Sequence, residues 1–168
     1  YEHWCQARFD WYIEHGIPAD MLRLRAHDAD ELSHYSSGTS DVEFLFPWGW
    51  DELEGIASRT DYDLKAHTAG SGKKLSYMDV EAADPETGQK GWKYVPHVLE
   101  PAAGATRGVL ALLCEAYVEE PGDAEGKGER NLLRLHPRLA PYKGAILPLV
   151  KRDGMPEVGR RIADAFFR

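Results

Sequence analysis

Cysteine is scarce: Cys5 and Cys114 are the only two in 168 residues. Two thiols so far apart make no disulfide framework and lack the paired spacing of a zinc site. They read as structural thiols of a reducing compartment. No apolar run approaches the roughly 20 residues that a membrane-spanning helix needs, which argues against an integral membrane protein. No basic-then-apolar signal segment opens the chain. Basic residues are outnumbered, 20 against 28 acidic, for a net charge of −8. A freestanding nucleic-acid binder carries a basic face, so the acid excess argues against one, though not against an enzyme that acts on nucleic acid. The first residue is Tyr1 rather than Met, so the chain is expected to be a processed product or a portion of something longer. What is present suffices for a packed core: 43% of residues are hydrophobic and 11% aromatic, which excludes wholesale disorder. The length suits one domain, with part of a second at most.

The spacing of Tyr1, Trp4, Cys5, Phe9, Tyr12 and Ile13 predicts one apolar helix face over 1–15, closed by Gly16 and Pro18. Leu22 and Leu24 alternate with Arg23 and Arg25 as in a short strand. Asp28 to Tyr35 reads as a helix capped by Asp28, with Glu31 three residues on. Val42, Phe44 and Phe46 alternate as in a strand that Pro47 ends. After a Trp48-Gly49-Trp50 turn, residues 52–57 read as a second strand with Glu52 and Glu54 on one face and Leu53 on the other. Two such carboxylates on a half-buried face are costly unless a cation answers them. Residues 65–92 read as loop or insertion. A strand is expected over 94–100, a tight turn at Pro101 and Gly104, and an amphipathic helix carrying Val109, Leu110, Leu112, Leu113, Ala116 and Tyr117. Residues 119–130 read as a second, mobile loop. Ala145 to Val150 reads as a buried parallel strand and 156–167 as an amphipathic helix, the opening of an α/β unit too small to bury a core alone.

Most motif-like features have bland explanations. Gly70-Ser71-Gly72-Lys73-Lys74 suggests a phosphate loop, but the first glycine of that pattern is replaced by His67 and its Ser/Thr by Lys74; glycine and lysine cluster in solvated turns anyway. The seven histidines show no i, i+4 pair for a metal. No Gly-x-Ser-x-Gly elbow supports a nucleophile. The sharper constellation is Glu52 and Glu54, then Glu100, then Arg107 just inside a helix and preceded by Gly104. Such an arginine and helix start could hold a phosphate, and the carboxylates a divalent cation or an ammonium. A structural salt-bridge network gathers the same residue types, so the composition alone leaves both open.

The segments themselves narrow the choice. Phe46-Pro47, Gly49-Trp50, Glu52-Leu53-Glu54-Gly55-Ile56-Ala57, Arg59 and Asp61-Tyr62-Asp63-Leu64 resemble bacterial glycyl-tRNA synthetases. Pro96-His97-Val98-Leu99-Glu100-Pro101, Gly104 and Arg107 resemble motif 3 of the class II aminoacyl-tRNA synthetases. Leu135-His136-Pro137, Leu139-Ala140-Pro141, Lys143 and Pro148-Leu149 resemble the entry to that family's anticodon-binding domain. Trp4, Arg8, Arg23, Arg25, His27 and His34-Tyr35 also fit, so the resemblance spans essentially the whole chain. It implies an α+β fold: part of a class II antiparallel sheet with flanking helices over 1–135, then the first strand and helix of a truncated α/β anticodon-binding domain over 136–168. It implies a cytoplasmic, homodimeric ligase that forms glycyl-adenylate from glycine, ATP and Mg2+ and passes glycine to tRNA(Gly). Arg107 would grip the γ-phosphate. Glu52, with Leu53 beside it, would sit at the ATP and magnesium site, with Gly104, Ala105 and Thr106 along the nucleotide. Glu100 would take the glycine ammonium, and Pro101, Ala102, Ala103 and Gly104 would line a pocket too tight for a methyl group. The sequence departs from the family at Ala102, where serine is usual, and at Thr106, commonly acidic. Motifs 1 and 2 would lie upstream, so this portion is expected to be inactive alone. The alternative reading is a non-catalytic, synthetase-like binding or regulatory module.

Overall fold

In the computed structural model, which describes residues 1–123, 125 and 127–166, the chain opens with α1 (Glu2–Glu14). Cys5 and Tyr12 are buried, and Tyr1, Phe9 and Trp11 pack against the same core. Trp4 and Ile13, expected on that stripe, flank it and stay exposed. A single 3-10 turn leads into β1 (Leu22–Ala26). The expected helix at 28–35 does not form; turns stand there instead. The expected capping contact is nevertheless made, since the Asp28 N–H donates to Glu31 Oε2 at 2.9 Å. Arg25 clamps the same Glu31 carboxylate through two hydrogen bonds, and so short a segment has too few turns to propagate a helix on its own.

Next come β2 (Gly38–Phe46) and β3 (Gly49–Thr60), joined by a turn in which Gly49 takes φ +117°, a conformation that favours glycine. The helix α2 (Tyr62–Ser71) ends at a left-handed Gly72. The hairpin of β4 (Tyr77–Ala83) and β5 (Lys90–Tyr94) follows. These elements replace the expected 65–92 loop. The hairpin is polar and mostly exposed, so it lacks a hydrophobic alternation; its signal was aromatic, with Tyr77 and Trp92 both ringed against Tyr94. The strand expected over 94–100 is β6 (Val98–Ala103). Pro101 lies inside it rather than in a turn, which β6 tolerates because it is an edge strand.

The main sheet runs β1-β2-β3-β6, antiparallel throughout. Helix α3 (Ala105–Ala116) returns over it and leads to a small hairpin of β7 (Tyr117–Glu120) and β8 (Arg130–Leu133). The loop expected over 119–130 shrinks to 121–129, of which 124 and 126 lie outside the described residues. Both α1 and α3 contribute to one core with Val42, Phe44, Phe46, Leu53 and Ile56. On α3 it is Ala111 that meets the sheet, while Val109, Leu110 and Leu113 are exposed. The small side chain lets the helix backbone approach closely.

The chain divides into two compact units, Tyr1–Arg134 and Leu135–Arg168. In the second, α4 (Met155–Phe166) is the only regular element among the described residues; position 167 of the expected helix lies outside them. The parallel strand expected at 145–150 is absent. A strand needs a partner for its N–H and C=O groups, and none is available among the described residues. Ile146 and Pro148 instead lean on Gly159 of α4, while Leu147 and Leu149 face solvent. Among the described residues no helix is long and apolar enough to cross a membrane.

Candidate functional site

A bulge decides which side chains the sheet offers. Along β2 and β3, Val42 pairs with Glu54 but Glu43 pairs with Glu52, so Leu53 is the extra residue. Paired residues share a face. Glu54 therefore lies on the helix-covered face and Glu52 on the other, which corrects the expectation that the two share one. Glu54 is 2% exposed. Arg8 answers it with a forked pair of bonds, Nε to Oε1 at 2.7 Å and Nη2 to Oε2 at 3.0 Å, and the Tyr12 hydroxyl donates at 2.8 Å. Its role is structural. The required cation was foreseeable, but its source on α1 was not.

The opposite, open face carries Arg23, Arg25, Asp41, Glu43, Trp50, Glu52, Gly55, Glu100 and Ala102, by register. Most of its acids are paired. Arg23 pairs with Glu43, and His27 Nε2 lies 2.7 Å from Asp41 Oδ2. Glu52 is the exception: no side-chain partner meets its carboxylate among the described residues. Gly55 lies opposite Ala102, so this part of the sheet has almost no side chain. A Cβ at Gly55 would come 3.4 Å from Glu52 Oε1 and 3.6 Å from Asp41 Oδ1. Two carboxylates thus converge over a bare stretch of backbone. Among the described residues no group of three or more potential metal ligands occurs.

Glu100 stands on the same face, opposite Ala57. Ala57 stands five positions along β3 from Glu52, roughly 15 Å of strand. Arg59 holds Glu100, with Nη1 2.9 Å from Oε2. Its Nε and Nη2 bind Asp63 at 2.6 and 3.1 Å, and its Cζ sits 4.3 Å from the Tyr35 ring centroid. Asp63 is correspondingly held below its ordinary value, first by that hydrogen bond. Arg59 is a residue whose place in the site the sequence motif alone did not reveal.

Arg107 lies in the first turn of α3, which starts at Gly104 without a side-chain cap. Ala105 and Thr106 precede it, exposed, with their N–H groups at the open helix end. The Arg107 guanidinium lies over the Phe46 ring, 5.3 Å from its centroid. Nη2 is 2.5 Å from Asp51 Oδ2, a close ionic contact without hydrogen-bond geometry, and Nε has no partner. Asp51 is held below its ordinary value by the Trp48 indole N–H, then by the Glu52 N–H and Arg107.

The residues singled out from sequence are thus distributed. Glu52, Glu100 and Ala102 share the open face. Pro101 and Ala103 alternate onto the other. The Leu53 side chain is in the core, leaving only its backbone to a ligand. Gly104, Ala105, Thr106 and Arg107 form the helix start at the end of β6.

No family model matches the chain. Curated relatives do. The glycine–tRNA ligase of Macrococcus caseolyticus (strain JCSC5402) is 52% identical over 151 residues, 90% of this chain and 30% of that protein. That of Lysinibacillus sphaericus (strain C3-41) is 45% identical over 168 residues, 99% of this chain and 34% of the relative. That of Borrelia hermsii (strain HS1 / DAH) is 45% identical over 165 residues, 96% and 35%. The chain therefore spans about a third of the length of the curated relatives it matches. The resemblance to glycyl-tRNA synthetases drawn from the motifs is borne out along almost the whole chain.

Proposed function

We propose that a chain so similar to glycine–tRNA ligases is the motif 3 portion of a class II catalytic domain, followed by the start of an anticodon-binding domain, and that the complete protein joins glycine to tRNA(Gly). The observation that carries this reading is the single open sheet face on which Glu52, Gly55, Ala102 and Glu100 lie in line, within a chain of which 90–99% aligns with part of those ligases. An elongated ligand such as glycyl-adenylate suits a face that separates Glu52 from Glu100 by roughly 15 Å of strand.

Each residue then has a task. A glycine carboxylate oxygen attacks the α-phosphorus of ATP, the bond to the β-phosphate oxygen breaks, and pyrophosphate leaves. Arg107, at a helix start with an unpartnered Nε, binds the outer phosphate. Glu52 would hold Mg2+, with water and phosphate oxygens completing its shell. That cation would neutralise charge on the phosphates; a carboxylate near Asp41 with no ion-pair partner among the described residues suits it. Glu100 keeps one oxygen on Arg59 and offers the other to the glycine ammonium. Ala102 puts a methyl where relatives of this type usually carry a serine hydroxyl, so glycine is held by charge and by the tight backbone floor. A homodimeric, cytoplasmic protein is part of the same proposal.

The test is glycine-dependent ATP–pyrophosphate exchange on the longest natural polypeptide that carries these residues. Exchange is expected with glycine and not with alanine, and Arg107→Ala is expected to lower it about 10²- to 10³-fold. A folded protein without exchange would point to the non-catalytic module instead.

A further inference from the structure

Beside the open face lies a cleft of about 490 Å³, lined by His34, Tyr35, Ser36, Ser37, Thr60, Asp61, Tyr62, Lys65 and Ala66, with three aromatic rings among them. His34 meets Tyr62 edge-on at 5.4 Å between centroids, and Tyr35 lies 5.9 Å from Tyr62. Tyr62 is 43% exposed although it forms one wall. The cleft floor is strained. Thr60 takes φ +56° at a second bulge in β3, a conformation that a β-branched residue rarely adopts and that concentrates at binding sites. The charged groups cancel, because Lys65 Nζ lies 2.6 Å from Asp61 Oδ2. A neutral cleft with ring walls and hydroxyls suits a flat heteroaromatic ring better than a phosphate or an aliphatic side chain.

The cleft is also wired to the site already described. Tyr35 stacks on Arg59, and Arg59 pairs with Glu100. A ring in the cleft would therefore bring whatever it carries toward the proposed glycine ammonium site. We infer that this cleft receives a nucleobase at the acceptor end of the tRNA, stacked on Tyr62, and so presents the terminal ribose to the activated glycine. The inference rests on the proposed function above. In the transfer step the ribose hydroxyl attacks the glycyl carbonyl carbon, the bond to the adenylate phosphate oxygen breaks, AMP leaves and the hydroxyl proton goes to solvent or a phosphate oxygen.

Two reactions of the complete polypeptide separate the possibilities. ATP–pyrophosphate exchange needs no tRNA, whereas single-turnover transfer from preformed adenylate does. Tyr62→Ala is expected to slow transfer roughly tenfold or more, the range for losing one base–aromatic stack, and to leave exchange within about twofold. Tyr62→Phe keeps the ring and is expected to restore transfer. Unchanged transfer in Tyr62→Ala, or an equal fall in both reactions, overturns the cleft assignment while leaving glycine activation intact as a reading. Absence of glycine-dependent exchange in the unaltered protein overturns both.

Discussion

Two glutamates stand two residues apart in β3 and meet opposite fates. Glu54 is sealed beneath α1, with Arg8 and Tyr12 satisfying its oxygens. Glu52 faces the open side, beside Asp41 and without an ion-pair partner among the described residues. One bulged residue, Leu53, separates the two environments. A buried carboxylate must be paired where it stands, since its desolvation is otherwise uncompensated. An exposed one can remain unpaired at little cost, which leaves it available to a ligand. The same chemistry thus serves the fold on one face and, by our reading, the reaction on the other.

Breaking the covered pair is expected to have the largest effect. Arg8→Ala leaves the Glu54 carboxylate buried and without its cation, which costs about 3 kcal/mol or more; a lowered urea midpoint in the longest natural polypeptide measures it. Glu54→Gln is milder, because the half-exposed Arg8 that it strands can turn to water. Neither effect would appear if the pair were ornamental. Glu52→Gln inverts the pattern. Its unfolding free energy from urea titration is expected to change by no more than about 0.5 kcal/mol, while glycine-dependent exchange falls about a hundredfold. A loss of stability matching that of Arg8→Ala would erase the distinction between the faces.

The contrast was only half legible in the residues. The cores of β2 and β3 announce themselves by the alternation of Val42, Phe44 and Phe46 and by the run 52–57, though both strands extend further, and α1 by its apolar spacing. The motif around Glu100, Gly104 and Arg107 carries the resemblance without help from coordinates. Strict alternation, however, places Glu52 and Glu54 together, and nothing local marks Leu53 as the inserted residue; the contacts of Glu54 with Arg8 and Tyr12, which accompany the bulge, come from across the core. Arg59 is equally silent, since its two carboxylates come from α2 and β6. The run at 145–150 shows the reverse failure. Its composition suits a buried strand, but strand formation belongs to the pair of chains that share hydrogen bonds, and no partner is available among the described residues.

The smallest effects are expected from pH, and they divide by burial. Burial, followed by the hydrogen bond to Glu54, pushes the Tyr12 phenol upward from its ordinary 10.0. A raised folded value means that its contribution is complete below about pH 10 and is lost as pH climbs above it. Asp51 runs the other way, held below 3.8 first by the Trp48 indole N–H. Its contribution is present above about pH 4 and is lost as pH falls through the lower folded value. Because Asp51 is half-exposed, added salt should weaken the Arg107 part of that contribution, whereas the Tyr12 contribution should resist salt. Urea midpoints across acid and alkaline series would test this with Tyr12→Phe and Asp51→Asn. Tyr12→Phe should make the alkaline decline shallower and keep the acid one, and Asp51→Asn should ease only the acid limb, because Tyr1 and Tyr117 are also raised and Glu31, Asp61, Asp63 and Glu120 also lowered. An alkaline decline of unchanged depth in Tyr12→Phe would place the titrating group elsewhere and refute the coupling of Tyr12 to the Glu54 pocket.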